Sequence, residues 1–325
     1  MSIYWRRDGN VRILRPAELV RAAAIARRYY LDGKSKIEIA REFDLSRFKV
    51  ARVLDEARAT GLVRIDITVP AEIDAELSDA LRTAFGLREA ITVVTGAGSD
   101  EGIRRQLGRI AADYLTEVVT EDDVLGLACS RTLNAMSLAL AELPRVPVVQ
   151  LTGVHPGPLE ETSVELVRRV ASIARGPAYP IYAPLVVSDA ATTRGLRRQP
   201  QVLDAMRRHS QVTKAVVAVG ALEPPDSFVA DLVSEADRET LHGRGIHTEV
   251  CARLLDDDGQ EVPELADRVI AITIDQLRHI PEVIAVAGGV RKVEAIRAAL
   301  KGGFVTSLIT DTDVACALLA RPQAR

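Results

Sequence analysis

Three basic side chains, Arg47, Lys49 and Arg52, stand in and just ahead of an apolar stripe made by Val50, Val53, Leu54 and Ala57. At helical spacing the stripe lies on one face and the cations lie off it. A helix so built is held by its buried face while its first turns reach phosphates and base edges of double-stranded DNA. Ser46 is a good N-cap for it, because its hydroxyl can satisfy an orphan first-turn N–H. The preceding stretch opens at Ser35 and Lys36 and carries Ile37, Ile39, Ala40 and Phe43 on one helical face. Asp44-Leu45-Ser46 breaks the pattern. A helix-turn-helix over residues 35–54 follows, with Ser35, Lys36, Ser46, Arg47, Lys49 and Arg52 as its DNA-facing set. Spacing alone fits a bundle fragment with a solvated basic face equally well.

The flanking elements favour DNA. Leu19, Ala22, Ala23, Ala26, Tyr29 and Tyr30 form an amphipathic support helix closed by Asp32-Gly33. Gly61 ends the second helix, and Leu62–Val69 alternates like a strand. That order is a winged helix-turn-helix over residues 1–69, preceded by a polar, basic arm at 1–15. Charge agrees: residues 1–69 hold 15 Lys+Arg against 9 Asp+Glu, and the rest hold 27 against 36. A basic head on an acidic body suits one part meeting a polyanion and another part doing something else.

Residues 70–325 alternate apolar strands with amphipathic helices, after a first helix carrying Ile73, Leu77, Leu81 and Phe85. Strands are expected at 90–94, 124–128, 146–151, 183–187, 215–219, 269–272, 283–286 and 305–309. The pattern indicates a doubly wound, mostly parallel α/β sheet, which binds ligands beyond the carboxyl ends of its strands. Candidates therefore stand just after each strand. Ser130, Arg131 and Thr132 open a helix whose free N–H groups could hold an anion, although Ser130 or Thr132 could serve only as a cap. Thr152-Gly153 begins a Gly/Pro loop, and Gly220 follows another strand. Gly288-Gly289 allow close backbone approach to a phosphate, with Lys292 as a mobile positive charge. Glu249 and Arg253 sit four apart, as a helical ion pair would.

Other classes are disfavoured. No apolar run is long enough to span a membrane, and the N-terminus lacks an apolar signal core. Cys129, Cys251 and Cys316 are scattered without a CxxC, as expected for free thiols in the cytoplasm. There is no GxGxxG and no GxxxxGK[ST], which argues against a dehydrogenase or kinase, and His155 does not stand at metal-ligand spacing. The expected cofactor set is empty.

These pieces resemble the SorC group of sugar-binding transcriptional regulators, related to the deoxyribonucleoside and central glycolytic gene regulators. The likeness rests on Leu45-Ser46-Arg47 and Val50-Ala51-Arg52-Val53-Leu54 in the head. In the body it rests on Leu125-Gly126-Leu127 with Arg131-Thr132-Leu133, on Glu249–Asp256 with Gly259, and on Val286-Ala287-Gly288-Gly289 through Lys292 to Gly302-Gly303, closed by Thr310-Asp311. The resemblance implies a body folded like ribose-phosphate isomerase and glucosamine-phosphate deaminase, with the enzymatic function lost. It implies a sugar or sugar-phosphate effector, and a dimer or tetramer whose DNA-binding heads respond to it. Carried over, Ser130, Arg131 and Thr132 match the segment that holds phosphate or sugar oxygens, Thr152 and Gly153 a pocket loop, and Gly220, Glu249 and Lys292 other pocket positions. Asp189 and Gly288 complete the effector-facing set. The chain departs from the family pattern at Cys129-Ser130, His155-Pro156 and Thr248, which bears on the effector's identity. The rival reading is a sugar-phosphate isomerase or deaminase with an added DNA-binding head, using Glu249 or Asp189 as its base.

Overall fold

A reciprocal cap opens the helix pair of the head. Ser35 Oγ accepts from the Glu38 N–H, and the Glu38 carboxylate accepts from the Ser35 N–H at 2.8 Å, so two orphan amides are satisfied at once. This comes from a computed structural model that describes residues 4–7, 10–13, 16–65, 72–96, 99–156, 162–222, 226, 227, 229, 232 and 234–321, the first two stretches by backbone alone. The chain divides into two units, Met1–Thr68 and Val69–Arg325.

In the first unit, strands β1 (Tyr4–Arg7) and β2 (Asn10–Ile13) pair antiparallel, with Tyr4 opposite Ile13. The polar arm expected at 1–15 is therefore paired backbone over these residues. Helices α1 (Pro16–Tyr30), α2 (Lys36–Glu42) and α3 (Arg47–Ala59) follow. Ile25, Ala26, Ile39, Ala40, Val50 and Leu54 make their shared core, and Tyr29, Phe43, Leu45 and Val63 close its edges. Asp44 turns the chain between α2 and α3 at φ 51°. Glu42 receives Arg28 and Lys34, each at 2.7 Å, tying α2 to α1. Ile37, expected on the buried face, is instead 49% exposed; it belongs to the first turn of α2, where the inward face is taken by Ile39 and Ala40. Leu62 and Val63 form a bend and Arg64 and Ile65 are irregular, where the first half of a strand was expected, and the rest of the expected wing, 66–69, lies outside the described residues.

The second unit opens with α4 (Ala75–Phe85), capped by Asp74 and ended by Gly86. Leu81 is fully buried; Ile73, Leu77 and Phe85 pack beside it. The strands are β3 (Glu89–Val93), β4 (Leu125–Leu127), β5 (Val148–Gln150), β6 (Ala178–Tyr179), β7 (Lys214–Val217), β8 (Val219–Ala221), β9 (Thr248–Val250), β10 (Arg253–Leu255), β11 (Glu261–Val262), β12 (Glu282–Val286) and β13 (Ser307–Asp311). Seven form a parallel sheet in the order β3-β13-β12-β7-β4-β5-β6. Helices α5 (Asp100–Val118), α6 (Arg131–Ala139) and α7 (Ser163–Ala174), with Val293–Lys301, supply the crossovers and bury their apolar faces on the sheet. The doubly wound α/β reading is what the chain adopts. Two of the expected strands, at 183–187 and 269–272, make only isolated bridges, Val186 to Val269 and Thr152 to Ala271 among them.

A smaller antiparallel sheet, β11-β10-β9-β8, branches off where the chain leaves β7. It corrects one expectation. Glu249 and Arg253 lie not on a helix but on the two arms of a hairpin, with Arg253 opposite Val250. The turn is Cys251-Ala252, at φ 53° and 61°. Two positive φ values are what a tight two-residue hairpin turn requires, and the usual Asn-Gly signal is absent.

Candidate functional site

In the head, both helices of the pair start on serine caps: Ser35 on α2, and Ser46 on α3, where its Oγ accepts from the Lys49 N–H at 3.2 Å. Ser46, Arg47, Lys49 and Arg52 are all exposed at or near the start of α3, on the side away from Val50, Leu54 and Ala57. Arg52 lies 3.5 Å from Glu56, and Lys36 lies 5.6 Å from the Tyr29 ring. The basic face is therefore assembled on one helix end with its N–H groups pointing the same way. Sequence reasoning missed Phe48. It is 78% exposed between the cations, with Arg47 5.6 Å over its ring. An aromatic left in solvent on such a helix can meet a thymine methyl group. Its position off the apolar stripe was the available signal.

In the body, the carboxyl ends of β4, β7 and β12 surround one cleft. Ala128–Thr132, Ala218–Gly220, Glu249 and Lys292 line a void of about 50 Å³. Gly288, Gly289 and Asp311 line an adjoining one of about 230 Å³. Arg104, Thr132, Asp226 and Lys292 wall both. Of the expected effector set, Ser130, Arg131, Thr132, Gly220, Glu249 and Lys292 come together here, and Gly288 flanks them.

Each is held for a physical reason. Ser130 caps α6, its Oγ accepting from the Leu133 N–H at 3.0 Å, so its hydroxyl already has a structural duty. The amides before Leu133 have no intrahelical acceptor, and their residues, Arg131 and Thr132, line the cleft. Gly220 is required by Glu249: a Cβ there would stand 2.4 Å from Glu249 Oε1. The Glu249 carboxylate accepts from Ser227 Oγ at 3.0 Å and from the Ala252 N–H at 2.8 Å, which holds the hairpin turn. Burial pushes its carboxyl above the ordinary range, against those hydrogen bonds and Lys292. Lys292 Nζ lies 3.1 Å from the Val219 carbonyl and 3.3 Å from Asp226; burial lowers its pKa, and Asp226 and Glu249 oppose that. Gly289 needs its φ of 94°, and its N–H donates at 2.7 Å to the fully buried Asp311.

Sequence reasoning also missed Arg104, on the first turns of α5, and Asp226. Arg104 is 3.4 Å, and Arg131 3.5 Å, from the Asp226 carboxylate. These contacts join positions more than ninety residues apart, which no local pattern reports.

Three expected residues are placed elsewhere. Thr152 is buried and bridges Ala271, and a Cβ on Gly153 would strike the Pro184 carbonyl at 2.6 Å. The carboxyl end of β5 is thus covered by chain, and neither residue lines the cleft. Asp189 caps the helix Ala190–Arg197, accepting from Thr192 and Ser188, and its backbone and side-chain hydrogen bonds from Thr192 draw its pKa down to about 2. It does not line the cleft either, so the two carboxylates offered as catalytic bases are not brought together. Among the described residues no group of three or more His, Cys, Asp or Glu is placed to hold a metal ion, and no helix is long and apolar enough to cross a membrane.

Comparison with known proteins follows the same division. The family described as "Putative sugar-binding domain" matches residues 69–320. The uncharacterized transcriptional regulator YjhU of Escherichia coli (strain K12) is 33% identical over 303 residues, 90% of this chain and 92% of that protein. The transcriptional regulator LsrR of Klebsiella pneumoniae is 30% identical, covering 94% of each. Among solved structures, the full-length sorbitol operon regulator SorC from Klebsiella pneumoniae superposes with a TM-score of 0.71 at 22% identity, over 93% of this chain and 99% of that one. That likeness is one of fold.

Proposed function

The chain belongs to the SorC family of sugar-binding transcriptional regulators, and from that premise we propose that it is itself a DNA-binding regulator whose hold on its operator is set by a small carbohydrate, a sugar or polyol phosphate, bound in the body's cleft. The observation that carries the effector reading is the convergence of Arg104, Arg131 and Lys292 with the start of α6 at the carboxyl ends of parallel strands. Cations and open helix-end amides suit phosphoryl oxygens; Glu249, Thr132 and Ser227 suit sugar hydroxyls.

In this reading residues 1–69 bind the operator through Arg47, Lys49 and Arg52, and residues 70–325 bind effector and assemble the homo-oligomer, all in the cytoplasm, where the DNA is. No catalytic residue is assigned: an isomerase or deaminase needs a base and an acid poised together, and Asp189, the other carboxylate offered as a base, does not line the cleft with Glu249. The effector acts only through its differential affinity for the arrangements of the heads.

The test is a duplex selected from a random library by the full-length protein, followed by titration with sugar and polyol phosphates while DNA affinity and ligand turnover are both read. A change in DNA affinity of fivefold or more with one ligand, and no turnover, is expected. Turnover of that ligand moves the chain to the enzyme reading. No selected duplex at all removes the regulator reading.

A further inference from the structure

Asp226 is a carboxylate standing where three cations converge on a cleft. Its backbone is tied down: its N–H donates to the Ala221 carbonyl at 2.8 Å, and the Ala221 N–H donates back at 3.3 Å. Its side chain, 14% exposed, faces Arg104 at 3.4 Å, Arg131 at 3.5 Å and Lys292 at 3.3 Å. The cations come from three separate elements: α5, the start of α6, and the turn before Val293–Lys301. All three distances exceed the roughly 2.7–2.9 Å of a well-made bond between charged groups. One carboxylate is thus shared among two guanidinium groups and an ammonium group, none of them at close bonding distance.

Position adds a second argument. Asp226, with Arg104, Thr132 and Lys292, forms the wall common to the two voids. The smaller, at about 50 Å³, holds a few waters but no sugar phosphate. A phosphoryl group drawn to the three cations has to take the space this carboxylate fills, and doing so joins the two voids into one.

Resting on the reading of the cleft as an effector site, we propose that Asp226 is a built-in counter-anion. It holds the three cations in place in the ligand-free chain and competes with the effector for them. A dianionic phosphoryl group displaces it because two charges on three oxygens satisfy the cluster better than one. A neutral polyol cannot. Asp226 thereby sets both the affinity and the charge selectivity of the cleft.

The probe is inorganic phosphate, titrated against the full-length protein in a phosphate-free buffer by calorimetry and by melting temperature. Asp226→Asn keeps the side chain's size and the backbone bridge to Ala221 but removes the charge. It is expected to bind phosphate at least tenfold more tightly than the wild type, and to melt lower without phosphate and recover with it. Asp226→Glu keeps the charge and is expected to bind like the wild type. Unchanged or weaker binding by Asp226→Asn, while the wild type binds, overturns the counter-anion alone. Equal tightening by the Glu variant also overturns it. If Asp226→Asn does not fold even in saturating phosphate, the carboxylate is a structural part that no anion replaces, and the proposal falls. If neither wild type nor variant responds, the phosphorylated-effector reading falls with it.

Discussion

Gly220→Ala tests the geometry of the cleft most directly. The new Cβ stands 2.4 Å from Glu249 Oε1, 2.8 Å from its Cγ and 2.8 Å from Ser227 Cβ, where ordinary contact begins near 3.4 Å. The Glu249 side chain must retreat by about 1 Å, the shortfall in that closest contact. Retreat breaks its bonds from Ser227 Oγ, at 3.0 Å, and from the Ala252 N–H, at 2.8 Å. Overpacking costs about 1–3 kcal/mol, and a hydrogen bond to a charged group about 1.5–3 kcal/mol. Burial favours the neutral carboxyl, which puts the second figure at its low end, so the overpacking and the loss of one such bond together give an expected loss of about 2.5–4.5 kcal/mol. Urea unfolding of the full-length protein, followed by circular dichroism, measures it. The decisive comparison is a double-mutant cycle. In a Glu249→Ala background two of the three obstacles are gone, and Gly220→Ala should cost less than about 1 kcal/mol, a coupling of at least about 1 kcal/mol. Costs that simply add would show that Glu249 is not what makes residue 220 a glycine, and the reasoning about this wall would be wrong.

Arg47→Ala and Lys49→Ala should both weaken DNA binding without unfolding α3, whose core face they do not touch. A change that reads a base costs about 1–3 kcal/mol at one operator position, whereas one that touches phosphate weakens all duplexes alike and lowers the salt slope by about 1; anisotropy on operator variants separates them. Because the folded-state pKa of Glu249 is raised above 4.5, the native chain holds a proton that the unfolded chain has released. Stability should therefore fall as pH rises from about 4.5 through that raised pKa, and Glu249→Gln should flatten this part of the pH–stability curve. Asp189→Ala should lower the melting temperature by removing a helix cap and leave the effector's shift of that temperature unchanged. A lost shift would return Asp189 to the cleft.

What the sequence disclosed follows from how local its causes are. The helix pair of the head was legible because Ser35, Ser46 and the apolar stripes act within one or two turns. The parallel sheet was legible because its strands are buried on both faces and read as short apolar runs. The hairpin at 248–255 was not, because its turn uses Cys251 and Ala252 at positive φ instead of glycine or asparagine, and its stability comes from a carboxylate accepting across the turn. Glu249 and Arg253 then copied a helical pair by spacing alone. Thr152 and Gly153 were placed correctly at a strand end, but what covers that end, Pro184 and Ala271, is supplied from distant chain. Asp226 and Arg104 become a cluster only in three dimensions. Ile37 shows the limit of a stripe: in a seven-residue helix, one apolar residue in the first turn can face water.

The small antiparallel sheet is a partition. Val250 and Leu255 pack into the large core, and Ala252 and Leu254 pack into a second one with Leu222, Leu241 and Leu265. Its root is the strand that leaves the parallel sheet at Val217, and Lys292 holds that root by the Val219 carbonyl. A plate fixed along one edge and loaded on both faces behaves as a lever. Because both cores pack on this one sheet, a change in its position would meet close-packed side chains on either face.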